Sequence, residues 1–238
     1  MALPRLNETP MYNIVIPSTK LKTRYRPYLV KEEKLLLIAL ETDDEKQITE
    51  AIIDLIKACV EEEVDEKKLT TFDMEYLFTQ IRSKSVGETA KILLLCQSNE
   101  CDTTNEVLIP LGDVGVDLGD SINNIIPLTD KFSLEMRWLT YYDILNTKID
   151  ENSPSKNIYN NIISSLVAVV TEDERILFED EGYEATVDFV NNLTTSQFNK
   201  LKDFVDNAPQ VKMNIEYKCK GCGHDNKITL RGMRDFFQ

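Results

Sequence analysis

The side chains with chemistry to offer are few. Cysteines stand at Cys59, Cys96, Cys101, Cys219 and Cys222, and the chain has a single histidine, His224. Four of the cysteines fall into two close pairs, Cys96-Gln-Ser-Asn-Glu-Cys101 and Cys219-Lys-Gly-Cys222-Gly-His224. A Cys-x-x-Cys-Gly turn is a strong half-site for a metal, because the turn lets both sulfurs face one ion and a second pair completes a tetrahedron. Gly221 and Gly223 are expected to supply positive φ values. Lys218, Lys220 and the turn amides are expected to stabilise thiolate charge. The longer first pair is less specific alone. Together the pairs predict a structural zinc ion held by Cys96, Cys101, Cys219 and Cys222, whose removal would loosen the closure it makes. Three alternatives stand beside this reading. Cys96 is a core thiol at a strand end, the pairs form disulfides on oxidation only, or His224 replaces one cysteine as ligand rather than facing water after the knuckle.

A four-thiolate site has no open coordination position, so it adds folding energy and activates no water. The single histidine, placed beside Cys222, excludes a histidine-dependent triad elsewhere. Arg82–Glu88 resembles a phosphate loop only superficially, since it lacks the first glycine and the Gly-Lys-Ser/Thr ending. The acidic runs Glu61–Glu63 and Glu172–Glu174 read as solvated faces, Trp138 and Phe132 as core, and Cys59 as a buried apolar thiol on a helix stripe. Arg24, Arg26 and the Arg82–Glu88 stretch are the candidates for a functional surface, against an equal reading as structural salt links.

These residues need elements to position them. Tyr12–Ile16 and Lys22–Tyr28 read as a hairpin across a turn at Ser18–Lys20. Helices are expected from Lys31, over Glu45–Val60 behind an N-cap at Asp43 or Asp44, and from Thr70 or Thr71 to about Ser83. Strands follow at Lys91–Cys96, Glu106–Leu111 and Lys131–Leu139, then helices at Tyr141–Asn146 and Asn157–Val170. Ile176–Phe178 reads as a short strand before a turn at Asp180–Gly182. Helices return at Tyr183–Asn191 and Gln197–Asn207, the latter behind a Thr194/Gln197 capping box. Strands at Val211–Tyr217 and Lys227–Leu230 flank the second cysteine pair, and Arg231–Phe237 reads as a terminal helix. The fold class is α+β: a zinc-ribbon-like β region from two distant cysteine hairpins, with helical layers before and between them. The expected organisation is a hairpin at 1–30, a helical region at 31–88, the zinc-bearing β region at 89–140 and 210–238, and a helical insertion at 141–209.

Composition narrows the partners. The formal net charge is −14 and 42% of residues are hydrophobic. A core can be buried, while the overall field repels nucleic acid and anionic membrane. No run reaches the length of a membrane-spanning helix. Residues Met1–Pro10 lack a signal-peptide pattern, so a cytosolic protein is expected, and paired cysteines there read as metal ligands.

Three stretches in order, Tyr25–Lys34 before a leucine-rich helix, Ile81–Glu88 leading into the first cysteine strand, and Tyr217–His224 closing near Asp235–Phe237, resemble the baseplate hub assembly proteins of T-even-like contractile-tailed bacteriophages. The resemblance spans nearly the whole chain. It implies a role in tail morphogenesis, in building the central hub of the baseplate, with hub proteins as partners and the infected host cell's cytoplasm as location. It carries over no catalytic residue, and its paired-cysteine pattern falls on Cys96, Cys101, Cys219 and Cys222. The leading expectation is therefore a non-enzymatic assembly factor or chaperone for hub proteins, a viral late protein, acting without nucleic acid or membrane. A hub subunit retained in the virion baseplate is the alternative within the family. Outside it stand a zinc-ribbon nucleic-acid adaptor, which salt-sensitive DNA or RNA binding would reveal, and a metallohydrolase, which needs an open metal position.

Overall fold

The computed structural model describes residues 9–42, 44–62, 64–65, 67–118, 123–146 and 153–232. The chain forms two compact units. One is drawn from Met1–Asp65, Phe72–Asp117 and Gln210–Gln238, the other from Glu66–Thr71 and Leu118–Pro209.

The first unit opens with a hairpin, β1 (Tyr12–Val15) and β2 (Lys22–Tyr25), in register from Tyr12↔Tyr25 to Val15↔Lys22. Its turn sets Lys20 at φ +58°. Three helices follow: α1 (Val30–Glu41), α2 (Glu45–Cys59) and α3 (Thr71–Ser85). The Asp44 carboxylate caps α2 by accepting from the amides of Lys46 and Gln47. At the start of α1 the Leu29 amide donates to the buried Glu32 carboxylate at 2.6 Å. Burial alone would raise that carboxyl's pKa, but hydrogen bonds from Arg26, Leu29 and Lys31 hold it below its ordinary value. Ser18 and Tyr28 dock on α3 through their amides, donating to Asp73 and Ser85 at 2.9 Å each.

Beyond α3 come β3 (Thr89–Leu95) and β4 (Thr104–Pro110), a short 3-10 turn at Leu111–Asp113, and β5 (Gly115–Asp117). From Gln210 the chain returns to this unit. The segment from Leu118 to Pro209 is inserted between Asp117 and Gln210, which pair with each other where β5 meets the strand after the insertion. Its two ends therefore lie side by side.

The second unit has β6 (Ile125–Pro127), β7 (Phe132–Met136), β8 (Leu166–Thr171) and β9 (Arg175–Leu177) as an antiparallel sheet in chain order. Its helices are α4 (Tyr141–Asn146), α5 (Pro154–Ser165), α6 (Phe178–Glu181), α7 (Tyr183–Asn191) and α8 (Thr195–Asp206). Leu134, Met136, Ile162 and Leu201 centre its core. Trp138 stacks on Phe204 at 4.0 Å and Phe132 packs against the same cluster, as core residues would. The Thr194/Gln197 capping box forms at α8.

The expected helix Asn157–Val170 is corrected. The helix starts earlier, at Pro154, and stops at Ser165, after which Leu166–Thr171 is strand β8. Val167, Val169, Val170 and Thr171 are β-branched and lose rotamer freedom in a helix. On β8, Val169, Val170 and Thr171 pair with Leu134, Ser133 and Phe132 of β7, while Val167 falls at a register shift between the Ala168 and Leu166 pairs. The stretch 141–209, read as a helical insertion with one short strand at Ile176–Phe178, thus holds β8 as well as β9 at Arg175–Leu177. Sequence reading also missed β5 and β6, and α6 where a turn was expected. The expected terminal helix lies outside the described residues beyond Gly232, as does Asp43.

One polar link of the second unit is open to direct test. Arg137 grips the Asp143 carboxylate with two nitrogens at 2.6 and 2.8 Å, and the same carboxylate accepts from the Thr140 amide and hydroxyl at 2.8 and 2.7 Å. Burial opposes ionisation, but these donors outweigh it and hold the carboxyl below its ordinary value. A depressed folded-state pKa stabilises fully above the unfolded value, ~3.9, and that stabilisation is lost as pH falls through the folded value. Asp143→Asn is expected to cost about 1–2 kcal/mol at pH 7, discounted for the solvated Arg137 head. Urea melts should show the difference shrinking at pH 3; an equal deficit at both pH values would refute the ionic role.

Candidate metal centre

The cysteines sit at the tips of two antiparallel hairpins of the first unit. The first is β3–β4, paired from Thr89↔Pro110 to Leu95↔Thr104. The second is β10 (Gln210–Lys218) with β11 (Asp225–Arg231), paired from Lys212↔Arg231 to Lys218↔Asp225. Alternation decides which face each strand buries. Ala90, Ile92 and Ile109 of the first hairpin share one core with Val211, Ile215 and Leu230 of the second. The Tyr217 hydroxyl donates to the Leu95 carbonyl at 2.8 Å, just below the tips. The fold therefore brings the two tips together before any ligand is considered.

All four sulfurs lie within 4.8 Å of one another. Across the hairpins, Cys96 Sγ is 3.7 Å from Cys222 Sγ and Cys101 Sγ is 3.8 Å from Cys219 Sγ. A tetrahedron with metal–thiolate spokes of ~2.3 Å has edges of ~3.8 Å. A disulfide would need ~2.05 Å. The spacing thus fits one four-coordinate ion and not a pair of disulfides, and the donor set can hold a metal. All four residues named from the sequence are brought together, Cys96 and Cys219 buried, Cys101 half-buried and Cys222 exposed. His224 is exposed, and its imidazole is not among the clustered ligand atoms.

The scaffold around the sulfurs is built twice, with a pseudo-two-fold relation. Each leading cysteine donates its amide to a carbonyl on the returning strand: Cys96 to Thr103 at 3.0 Å, Cys219 to His224 at 2.8 Å. In each tip the amide two residues on points at that cysteine's sulfur, Ser98 to Cys96 at 3.5 Å and Gly221 to Cys219 at 3.4 Å. Each hairpin then presents a buried asparagine. Asn105 accepts from the Lys220 amide of the other tip at 2.9 Å and donates to its own Thr103 carbonyl at 3.1 Å. Asn226 accepts from the Gln97 amide of the other tip at 2.7 Å and donates to its own His224 carbonyl at 3.0 Å. The Asn105 amide also lies 3.5 Å from Cys219 Sγ. The two tips are therefore cross-braced by a reciprocal pair of side chains.

The glycines divide the labour differently from the sequence expectation. Gly223 does take φ +76°. Gly221 has no positive φ; it is needed because a Cβ there would stand 2.3 Å from Thr103 Oγ1 of the other hairpin. Of the groups expected to stabilise thiolate charge, the turn amides do so, and Asn105 and Thr103 join them. Donors from the Cys222 backbone, Asn105, Gly221 and Cys96 bring the Cys219 thiol down to about 6 against its burial. Cys101 is lowered as well, chiefly by Thr103. At Cys222 a backbone bond at His224 favours the thiolate, but desolvation and sharing with Cys101, Cys96 and Cys219 push it up to about 12. Without a cation, four adjacent sulfurs cannot all ionise. Lys218 lies 3.9 Å from Asp225, and both side chains are largely in water.

The other candidates assemble no site. Arg24 is engaged by Glu61 through two nitrogens at 2.7 and 2.6 Å. Arg26 holds Glu32 and the Ala58 carbonyl, and Lys84 pairs with Glu88. Arg82–Glu88 runs from the C-terminal end of α3 into β3, whereas a phosphate loop leads into a helix N-terminus. Cys59 is buried, and burial pushes its thiol up to about 11. Sequence reasoning missed Asn105 and Asn226. The signal was present: each asparagine follows the second cysteine of its pair by four residues.

An asparagine left out of this brace strands the amide it served. Asn105→Ala and Asn226→Ala are each expected to lower stability by about 1–3 kcal/mol. Hydrogen exchange should quicken at the Lys220 amide in the first variant and at the Gln97 amide in the second. Unchanged protection of both amides would show that the brace does not hold in solution.

Comparison with known proteins meets this geometry. The family model for the T4 bacteriophage base plate protein matches residues 9–238. The baseplate hub assembly protein gp26 of Enterobacteria phage T4 is 28% identical over 102 residues, which cover 42% of this chain and 49% of that relative. The chain thus matches about half the length of this curated relative. No solved structure matches. The family match takes in both cysteine hairpins and the segment inserted between them, and it bears out the resemblance read from motif order. This chain belongs to the T4 bacteriophage base plate protein family.

Proposed function

We propose that this protein is a non-enzymatic assembly factor for the central hub of a phage tail baseplate, which engages hub proteins in the host cytoplasm. Its cysteine hairpins are locked by one structural zinc ion on Cys96, Cys101, Cys219 and Cys222. The observation that carries the proposal is the family match across residues 9–238, joined to a cluster whose four donor atoms are all cysteine sulfurs. Soft tetrahedral sulfur sites suit zinc, and a closed site stabilises structure and leaves no position for substrate. The relative's description as a hub assembly protein favours an assembly role over a permanent place in the particle. The net charge of −14 stands against a nucleic-acid adaptor. Among the described residues no helix is long and apolar enough to cross a membrane.

Protein purified under reducing conditions should carry about one zinc per chain. A cobalt-substituted sample should show the charge-transfer bands of four thiolates. Cys→Ser at 96, 101, 219 or 222 should each release the metal and lower Tm by about 10 °C or more. Metal-free protein with serine variants that melt like wild type would end the zinc assignment. The assembly role is tested separately. Phage lacking the gene should accumulate tails without complete hubs, and complementation should restore them, while mass spectrometry of finished particles should find the protein absent. Normal hubs in the knock-out would sink the assembly role, and stoichiometric protein in the particle would make it a hub subunit.

A further inference from the structure

Helix α1 breaks the pattern of a surface helix. Its run Leu35-Leu36-Leu37-Ile38-Ala39-Leu40 is apolar throughout, so no polar face is reserved for water. Only Leu36 and Ala39 of that run are buried, along with Glu32. Leu35, Leu37, Ile38 and Leu40 remain between 49% and 62% exposed. A helical stretch that is apolar on every side normally finds cover, and contiguous exposed apolar surface marks an interaction site.

The exposed side is shaped as well as apolar. Leu35 and Ile38 form one wall of a groove of about 470 Å³ between α1 and α2. Ala51 and Ala58 line the α2 wall, and their small side chains leave the hollow. Glu50 and Asp54 stand on the same wall, both exposed. The cation lining the groove, Lys31, lies 3.2 Å from the buried Glu32. Lys46 is 3.9 Å from Glu50, at the outer limit of an ion pair, with both heads more than half in water. The groove thus has an apolar floor and an acidic edge.

We propose that this groove is the docking site for a helix of a baseplate partner protein, one with an apolar stripe at i, i+3, i+4 and i+7 flanked by lysine or arginine. The inference rests on the assembly reading above and adds the surface and the chemistry of its partner. Charge selects the occupant. A second copy would bring the same Glu50 and Asp54 edge and a further −14 to the contact, and like-charge juxtaposition is what excludes wrong partners. A basic-flanked amphipathic helix meets both features at once, in the manner of helix-in-groove recognition.

The test uses the full chain in phage-infected cells, with Ile38 replaced by the photo-cross-linker p-benzoylphenylalanine and exposed Asp173 replaced likewise as the control. Light should join position 38, and not position 173, to a baseplate protein at a segment with the basic amphipathic pattern. A product made of two copies of this chain, a joined segment that is neutral or acidic, or no product above the control would each overturn the proposal. The double variant Leu35→Glu/Ile38→Glu should lower the yield of infectious particles at least about tenfold, as loss of a buried anchor does. Its melting temperature and metal content should stay at wild-type values. If the knock-out blocks assembly but this variant assembles normally, the groove is not the docking surface and the assembly reading stands. If the knock-out assembles normal hubs, the assembly reading falls and the cross-link alone decides what the groove binds.

Discussion

Four sulfurs from two tips 126 residues apart must share one small volume, and the first unit is organised around that constraint. Loop closure over such a distance costs only slowly increasing entropy. Geometry is the harder part, because the donors must agree within tenths of an ångström. The common core under β3–β4 and β10–β11 brings the tips near. The reciprocal asparagines then fix their register. Each buried side-chain amide spends a donor on its own hairpin and an acceptor on the other. A one-residue slip of either tip would leave several of these groups buried without partners, each costing about 1–3 kcal/mol. The brace therefore discriminates strongly among wrong docking arrangements even where its net contribution is modest.

The two half-sites reach this symmetry from unequal sequences. The second tip needs two residues between its cysteines, the first has four, and the extra length is taken up at exposed Asn99 and Glu100. The local bonds adjust: Gly223 folds its amide back to the Cys219 carbonyl, whereas Cys101 folds back to Ser98. The leading-cysteine amide bonds, the amides aimed at the sulfurs and the asparagine braces are the same on both sides. Thr103 has a further duty, since its hydroxyl sits where a side chain at Gly221 would be. The first hairpin thus constrains the second at a position that a reading of the second alone would assign to turn conformation.

This explains what the sequence could and could not disclose. Cysteine pairs are rare enough to stand out, and amphipathic helices such as α2 and α8 announce themselves by period and cap. Asn105 and Asn226 do not, because asparagine near a turn is ordinary and its burial follows only from docking the two hairpins. β8 was hidden for a different reason. Asn157 to Val170 keeps apolar residues at near-helical spacing, so period alone favours one long helix. The β-branched run Val169-Val170-Thr171, paired against β7, decides otherwise. β5 and β6, each three residues long, carry too little pattern to register and exist because a partner strand completes them.

The closed four-thiolate site proposed above would lend this protein rigidity without an open position for substrate, and the proposed assembly work then falls to its surface. The family match narrows that work to the baseplate, and the distribution of apolar residues narrows the surface. In the cysteine-bearing hairpins the inward side chains are taken up by a shared core. In α1 most of the large apolar side chains are left over. A net charge of −14 opposes self-association through such a helix by repulsion between copies. The same charge attracts a partner whose flanks are basic. Acidity and exposed leucines, which conflict in an isolated monomer, become consistent in a protein that waits for one oppositely charged helix and releases its hydrophobic exposure on meeting it.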